Sequence, residues 1–240
     1  MKKTLCFGDS LTEGKPGVTY LRYVKNQKQF INFGLGGDTV IGMTERLIKV
    51  MNKSKYKDAT DIIVGIGAND ILLPFLENYS FLWKKRVRSL KRRGSIPCAD
   101  EQQFTMEYIK LIMILKELNK NIIIFSIPYI ESKDIYFNDK VDIYNKIVNN
   151  ICKNNNIFYI DFKSKQEKNK MDLNNKGSYF MSKNWFKVIT DTLLTTFLPF
   201  NSYISKKRGL ALTVDGCHLN KTSSKSLAEL IEKKLYERNE

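Results

Sequence analysis

The chain has 240 residues, 42% hydrophobic and 27% charged, which is enough apolar material for one sizeable buried core and too much for a disordered chain. A formal net charge of +15 permits attraction to phosphate-bearing partners or an anionic surface and proves neither. No apolar run reaches the roughly 18 residues of a membrane-spanning helix, and too few residues precede the first motif for the roughly 7–15-residue apolar region of a secretory signal, so a cytoplasmic location is expected.

In chain order, "TLCF" (4–7) reads as a first strand. It runs into "FGDSLTEG", Phe7 to Gly14, where Gly and Asp suit a turn and Ser10 with Glu13 can open a helix. The same turn would expose the Ser10 hydroxyl as a nucleophile and free its N–H for an oxyanion. The second strand, "QFINF" (Gln29 to Phe33), leads into "NFGLGGDT" (Asn32 to Thr39). Its paired glycines either turn the chain into the next helix or leave the Gly37 N–H facing a ligand. Thr39 to Met51 spaces apolar residues along one helical side.

"DIIVGIG" (Asp61 to Gly67) has the length and apolar continuity of a strand buried on both faces, and "GAND" behind it offers the Asn69 amide, or a helix cap. A helix is predicted over Phe104 to Lys120, a strand over "NIIIFSIP" (Asn121 to Pro128), a helix over Val141 to Lys153, a fifth strand over "IFYIDF" (Ile157 to Phe162), and a closing helix over about Thr222 to Tyr236. Ahead of that helix stands "VDGCHLN", in which Asp215 precedes His218 by three residues, so that one short turn lets the carboxylate hold the imidazole.

Alternating buried strands and helices imply an α/β chain: a three-layer α/β/α sandwich around a mostly five-stranded parallel sheet, with sites at the carboxyl ends of the strands. The expected organisation is a single domain over 1–240 with insertions at about 72–103 and 165–212, where the connections are too long for simple loops. Cys6, Cys98, Cys152 and Cys217 form no C-x-x-C pair and His218 is the sole histidine, so the cysteines are read as reduced thiols, with no metal site and no cofactor expected. Cys217, beside the histidine, reads as a small filler. Asp9, Asp38 and Asp70 are expected to bond backbone amides and hold their loops.

In their order, "FGDSLTEG", "GLGGDT", "GAND" and "DGCH" resemble the four blocks of the SGNH hydrolases, the GDSL-type esterase and lipase family with a flavodoxin-like fold. The resemblance covers most of the chain and leaves the two insertions uncovered. It implies Ser10 as nucleophile, His218 as general base and Asp215 as its orienting acid, with the Ser10 N–H, the Gly37 N–H and the Asn69 side chain as oxyanion hole. The implied activity is cleavage of a small-molecule carboxylic ester through an acyl-enzyme, in the manner of an acyl esterase, lipase, lysophospholipase or thioesterase. A carbohydrate O-acetyl esterase and a non-catalytic basic scaffold on nucleic acid or an anionic surface are the alternatives.

The insertions hold the remaining clues. "FLWKKRVRSLKRR" (Phe81 to Arg93) and "NWFKVITDTLLTTFLPF" (Asn184 to Phe200) read either as packing helices with a solvated basic face or as a lid or wall for an acyl chain. In the second reading the cations favour a phosphate-bearing substrate or peripheral contact with an anionic membrane. Nucleic acid is not the expected partner, since charge is the only feature that points to it.

Overall fold

The strands alternate with a period of two while both of their faces are apolar. In the computed structural model, which describes residues 2–171 and 179–237, this pattern divides the interior into two cores. β1 (Thr4–Gly8), β2 (Phe30–Gly34), β3 (Asp61–Gly65), β4 (Asn121–Phe125) and β5 (Phe158–Ile160) form one parallel sheet in the order β2-β1-β3-β4-β5. Leu5, Phe7, Ile62, Val64, Ile122 and Ile124 point to the larger core, and Cys6, Ile63, Ile123 and Phe125 to the smaller one. β1 and β3 are buried throughout, whereas β2, on the sheet edge, is mostly half-buried.

Helices cover both faces. α1 (Ser10–Glu13) is a single turn behind β1, and α2 (Val40–Met51) follows β2. α3 (Ala68–Tyr79), α4 (Phe81–Arg92) and α5 (Glu101–Glu117) connect β3 to β4, and α6 (Ile135–Asn154) connects β4 to β5. After β5 come α7 (Phe162–Met171), α8 (Trp185–Thr192), a π-helical turn (Leu193–Phe197), α9 (Asn201–Lys207) and α10 (Lys221–Tyr236). Met43 and Leu47 of α2, Leu111 and Leu115 of α5, and Val141 and Val148 of α6 pack into the larger core; Leu227, Ala228 and Ile231 of α10 pack into the smaller. Among the described residues no helix is long and apolar enough to cross a membrane.

Caps explain where helices start earlier than their apolar periodicity suggests. α5 opens at Glu101 rather than Phe104 because Asp100 accepts from the Gln103 N–H at 2.8 Å. α6 opens at Ile135 rather than Val141 because Asp134 accepts from the Tyr136 N–H at 3.0 Å. β4 stops at Phe125, short of Pro128, because the paired register runs out there.

The stretch around 72–103 carries most of α3 and all of α4. The stretch 165–212 contains residues 172–178, which lie outside the described residues, and otherwise carries most of α7 with α8, the π turn and α9. α8 is tied to the chain before 100 through the segment ahead of it: Trp83 Nε1 donates to the Ser182 carbonyl at 2.9 Å and Tyr79 Oη to that of Met181 at 3.0 Å.

The strand order reverses between β1 and β3, because the chain leaves β1 toward β2 on one side and then crosses to β3 on the other. Loops that depart to opposite sides open a crevice at the strands' carboxyl ends. The Ser10, Gly37 and Asn69 turns all leave strands at that crevice.

Candidate active site

The first turn is built by close approach. A Cβ on Gly8 would fall 2.3 Å from Thr12 Oγ1 and 2.6 Å from the Gly65 carbonyl, so only glycine ends β1 this tightly. Asp9, not Ser10, caps α1, its carboxylate accepting from the Leu11 N–H at 2.9 Å. Ser10 and Glu13 do open a helix, as their spacing suggests, while Glu13 reaches across and accepts from the Gly36 N–H at 2.7 Å. Ser10 is left with its hydroxyl toward the crevice.

His218 brings the chain's far end to that hydroxyl. Its Nε2 lies 3.0 Å from Ser10 Oγ, and its Nδ1 lies 2.8 Å from Asp215 Oδ2. The other oxygen of Asp215 accepts from the backbone N–H groups of Cys217 at 3.2 Å and His218 at 2.9 Å, so one carboxylate both forms the turn and orients the ring. With Nδ1–H held by a carboxylate, Nε2 is free to accept the Ser10 proton.

Burial pushes the Asp215 carboxyl upward, but the His218 charge, the ring hydrogen bond and the two N–H donors outweigh it and hold the group below its ordinary value. Burial likewise pushes His218 down, and the Asp215 carboxylate, its hydrogen bond, and the charges of Asp9 and Glu13 overcome it, so the imidazole lies above its ordinary value.

Gly37 adopts φ +83°, a left-handed conformation, and a Cβ there would sit 2.7 Å from both Leu90 methyl carbons. Asn69 Nδ2 donates to the Asp38 carbonyl at 2.8 Å and makes a longer contact, 3.4 Å, with Asp9 Oδ2. Ser10, Gly37 and Asn69 all line one cavity of about 480 Å³ together with His218. Its walls are mostly apolar, with Leu72, Leu73 and Leu76 from α3, Trp83 and Leu90 from α4, and Val188 from α8.

The three acidic neighbours bond backbone amides. Asp38 accepts from the Thr39 N–H at 3.1 Å, and Asp70 from Val40 at 3.1 Å and Cys98 at 3.0 Å. Burial pushes Asp9 up to about 7 and Asp70 up to about 6, partly offset by those N–H donors.

Cys217 is buried and lines the cavity, its Sγ 3.3 Å from His218 Nδ1. Burial and the Asp215 charge push its thiol well up, so it stays protonated. Asp215, Cys217 and His218 bring three metal-donor atoms within 4.8 Å of one another, but a metal there would have to break the 2.8 Å carboxylate–imidazole bond.

Two supporting residues are absent from the sequence reading. Arg46 on α2 binds Asp38 Oδ2 through Nε at 3.0 Å and Nη2 at 2.8 Å, and also donates to the Phe33 and Gly8 carbonyls, so it locks the ends of β1 and β2 to the Gly37 loop. Glu131, beyond β4, accepts from the N–H groups of Ala211, Leu212 and Thr213 and from the Thr213 hydroxyl, fastening the chain that leads to Asp215. An arginine on an amphipathic helix reads as solvated, and Glu131's partners lie some 80 residues downstream, so neither leaves a local signal.

The GDSL-like lipase/acylhydrolase family model matches residues 6–182, more than half of the chain; the His218 turn lies beyond the matched segment. No curated protein matches. Among solved structures, a lipase/acylhydrolase from Enterococcus faecalis superposes with a TM-score of 0.57 at 19% identity, covering 99% of this chain and 97% of that one. A GDSL-like lipase from Bacteroides thetaiotaomicron gives 0.58 at 13% identity over 99% and 89% of the two chains. A variant of an acetyl xylan esterase from Geobacillus stearothermophilus gives 0.53 at 16% identity over 97% and 93%. These likenesses establish a common fold. With its family model matched across the Ser10, Gly37 and Asn69 turns, the chain belongs to the GDSL-like lipase/acylhydrolase family and is a carboxylic ester hydrolase.

Proposed function

We propose that the chain cleaves acyl esters through a covalent Ser10 intermediate, with the acyl chain held in the apolar cavity. The observation that carries this reading is the Ser10 Oγ···His218 Nε2 contact of 3.0 Å, backed by Asp215 at 2.8 Å, at the wall of that cavity. His218 Nε2 takes the hydroxyl proton as Oγ attacks the ester carbonyl, and Asp215 stabilises the imidazolium that forms. The carbonyl oxygen becomes an oxyanion, received by the N–H groups of Ser10 and Gly37 and by Asn69 Nδ2. The imidazolium then protonates the departing alkoxide. Water, deprotonated by His218, hydrolyses the acyl-enzyme and returns Ser10.

The leucine-rich walls favour an acyl group longer than acetyl over an O-acetylated sugar. The complete hydrogen-bond chain from Asp215 to Ser10 speaks against a non-catalytic scaffold. We read residues 1–240 as one domain whose stretches at about 72–103 and 165–212 supply the outer wall of the cavity through α4 and α8. Beside that wall, Phe81, Phe186 and Phe197 are 70%, 76% and 63% exposed among lysines, which supports peripheral contact with an anionic membrane. Co-sedimentation with anionic vesicles at low salt, lost at high salt, is the expected result; absence of binding at low salt removes that part.

The decisive test of the chemistry is a chromogenic ester series from acetyl to long acyl, with a fluorophosphonate as covalent probe. The wild type turns over esters and is labelled at Ser10, and Ser10→Ala loses both while keeping its fold. No turnover and no label on the wild type would overturn the reading.

A further inference from the structure

The basic run of α4 presents two different faces. Trp83, Arg86, Leu90 and Arg93 recur at helical spacing and all line the catalytic cavity, Arg93 as the residue that caps the helix. Away from the cavity, Lys91 pairs with Glu77 at 2.6 Å, Lys85 lies over the Phe81 ring at 4.7 Å, and Lys84, Arg88 and Arg92 are exposed. Of the two cavity arginines, Arg86 is half-buried and Arg93 is exposed. Among the described residues no carboxylate is paired with Arg86 or Arg93. Glu13, the cavity's nearby acid, already accepts from the Gly36 N–H and faces Lys15 across 3.6 Å.

Arg86 is half-buried, and burial together with the neighbouring Arg93 charge presses its pKa downward against the opposing pull of Glu13. Two like charges on a mostly apolar wall repel each other, and an anion placed between them relieves that repulsion. Guanidinium groups are also the side chains best shaped to grip a phosphate or carboxylate through paired N–H donors.

We propose that Arg86 and Arg93 bind a phosphate or carboxylate carried by the ester substrate, so that the preferred substrates are anionic amphiphiles whose acyl chain lies among the leucines of α3. This rests on the hydrolase reading of the same cavity. It makes the two arginines specificity residues, since neither belongs to the proton-transfer chain.

The test uses ether analogues with no cleavable ester: 1-O-octylglycerol, its 3-phosphate and its 3-carboxymethyl ether, titrated calorimetrically into the intact protein at low salt. At least one anionic analogue is expected to bind about tenfold or more tightly than the neutral one, and which anion gains most identifies the group recognised. Arg86→Gln and Arg93→Gln each reduce that preference and the double variant erases it, while Arg88→Gln on the outer face retains it. Binding of all three analogues within about twofold of one another, or a preference that survives the double variant, overturns the proposal.

Matched esters separate the two readings. Turnover of neutral esters without any anion preference removes the arginine site alone. A preference kept by a protein that hydrolyses none of the matching esters removes the hydrolase reading and leaves the anion site standing.

Discussion

Replacing Glu131 by glutamine tests whether the His218 turn is held from a distance. The side chain is buried; Oε1 accepts from the Ala211 N–H at 2.6 Å, and Oε2 accepts from the Leu212 and Thr213 N–H groups at 3.0 Å and from the Thr213 hydroxyl at 2.8 Å. The Glu131 N–H in turn donates to the Gly216 carbonyl at 2.7 Å, inside the Asp215–His218 turn itself. Glutamine keeps the shape but has one oxygen. With that oxygen at the Oε2 position, three donors stay satisfied and the NH₂ group meets the Ala211 N–H donor to donor. The flipped amide abandons three donors instead.

Losing one charge-assisted buried bond to such an opposition costs roughly 2–4 kcal/mol. In urea unfolding, with m of roughly 2–3 kcal/mol/M, the midpoint falls by about 1 M. Because the turn carries the base and its acid rather than the acyl pocket, kcat falls by about tenfold or more with KM little changed. An unchanged midpoint together with an unchanged kcat would refute the reasoning.

The remaining predictions concern the site directly. His218 must be neutral to take the Ser10 proton and its pKa is raised above the ordinary 6.5, so kcat/KM falls as pH drops through a midpoint on the alkaline side of that value. Asp215→Asn, which removes the charge that raises it, lowers the rate by about 10³–10⁴ and moves the midpoint to lower pH; an unmoved midpoint counts against the pairing. Asn69→Ala lowers kcat by about 10²–10³ with little change in KM, and a pure KM effect in steady-state kinetics would take Asn69 out of the oxyanion hole. Leu72→Phe, which fills part of the cavity, lowers the kcat/KM ratio of long-acyl to acetyl esters by about tenfold, and an unchanged ratio would place the acyl chain elsewhere.

Much of this protein is determined by short-range pattern. The apolar runs at Ile62–Val64 and Ile122–Phe125 specify strands buried on both faces, because no other role suits a continuous apolar stretch of that length between helices. The Gly-Asp-Ser turn, the Gly37 turn, Asn69 and the Asp215–His218 spacing are legible because each depends on chemistry local to a few residues: a close approach at Gly8, a positive φ at Gly37, an Asx turn at Asp215. Ser10 and Glu13 do open a helix there, but Asp9 caps it, and Glu13 finds its partner in the Gly36 N–H of another loop.

Tertiary structure decided what depends on residues distant in sequence. Ser10 and His218 stand 208 positions apart, and only the fold of the sheet brings Oγ to within 3.0 Å of Nε2. Glu131 and Arg46 become supports only because loops from other strands end beside them. The same holds for α4, where composition alone makes every lysine and arginine equivalent. Helical phase brings Arg86 and Arg93, and not Arg88 or Arg92, to the cavity lining, since only the tertiary packing fixes which face of the helix looks at Ser10.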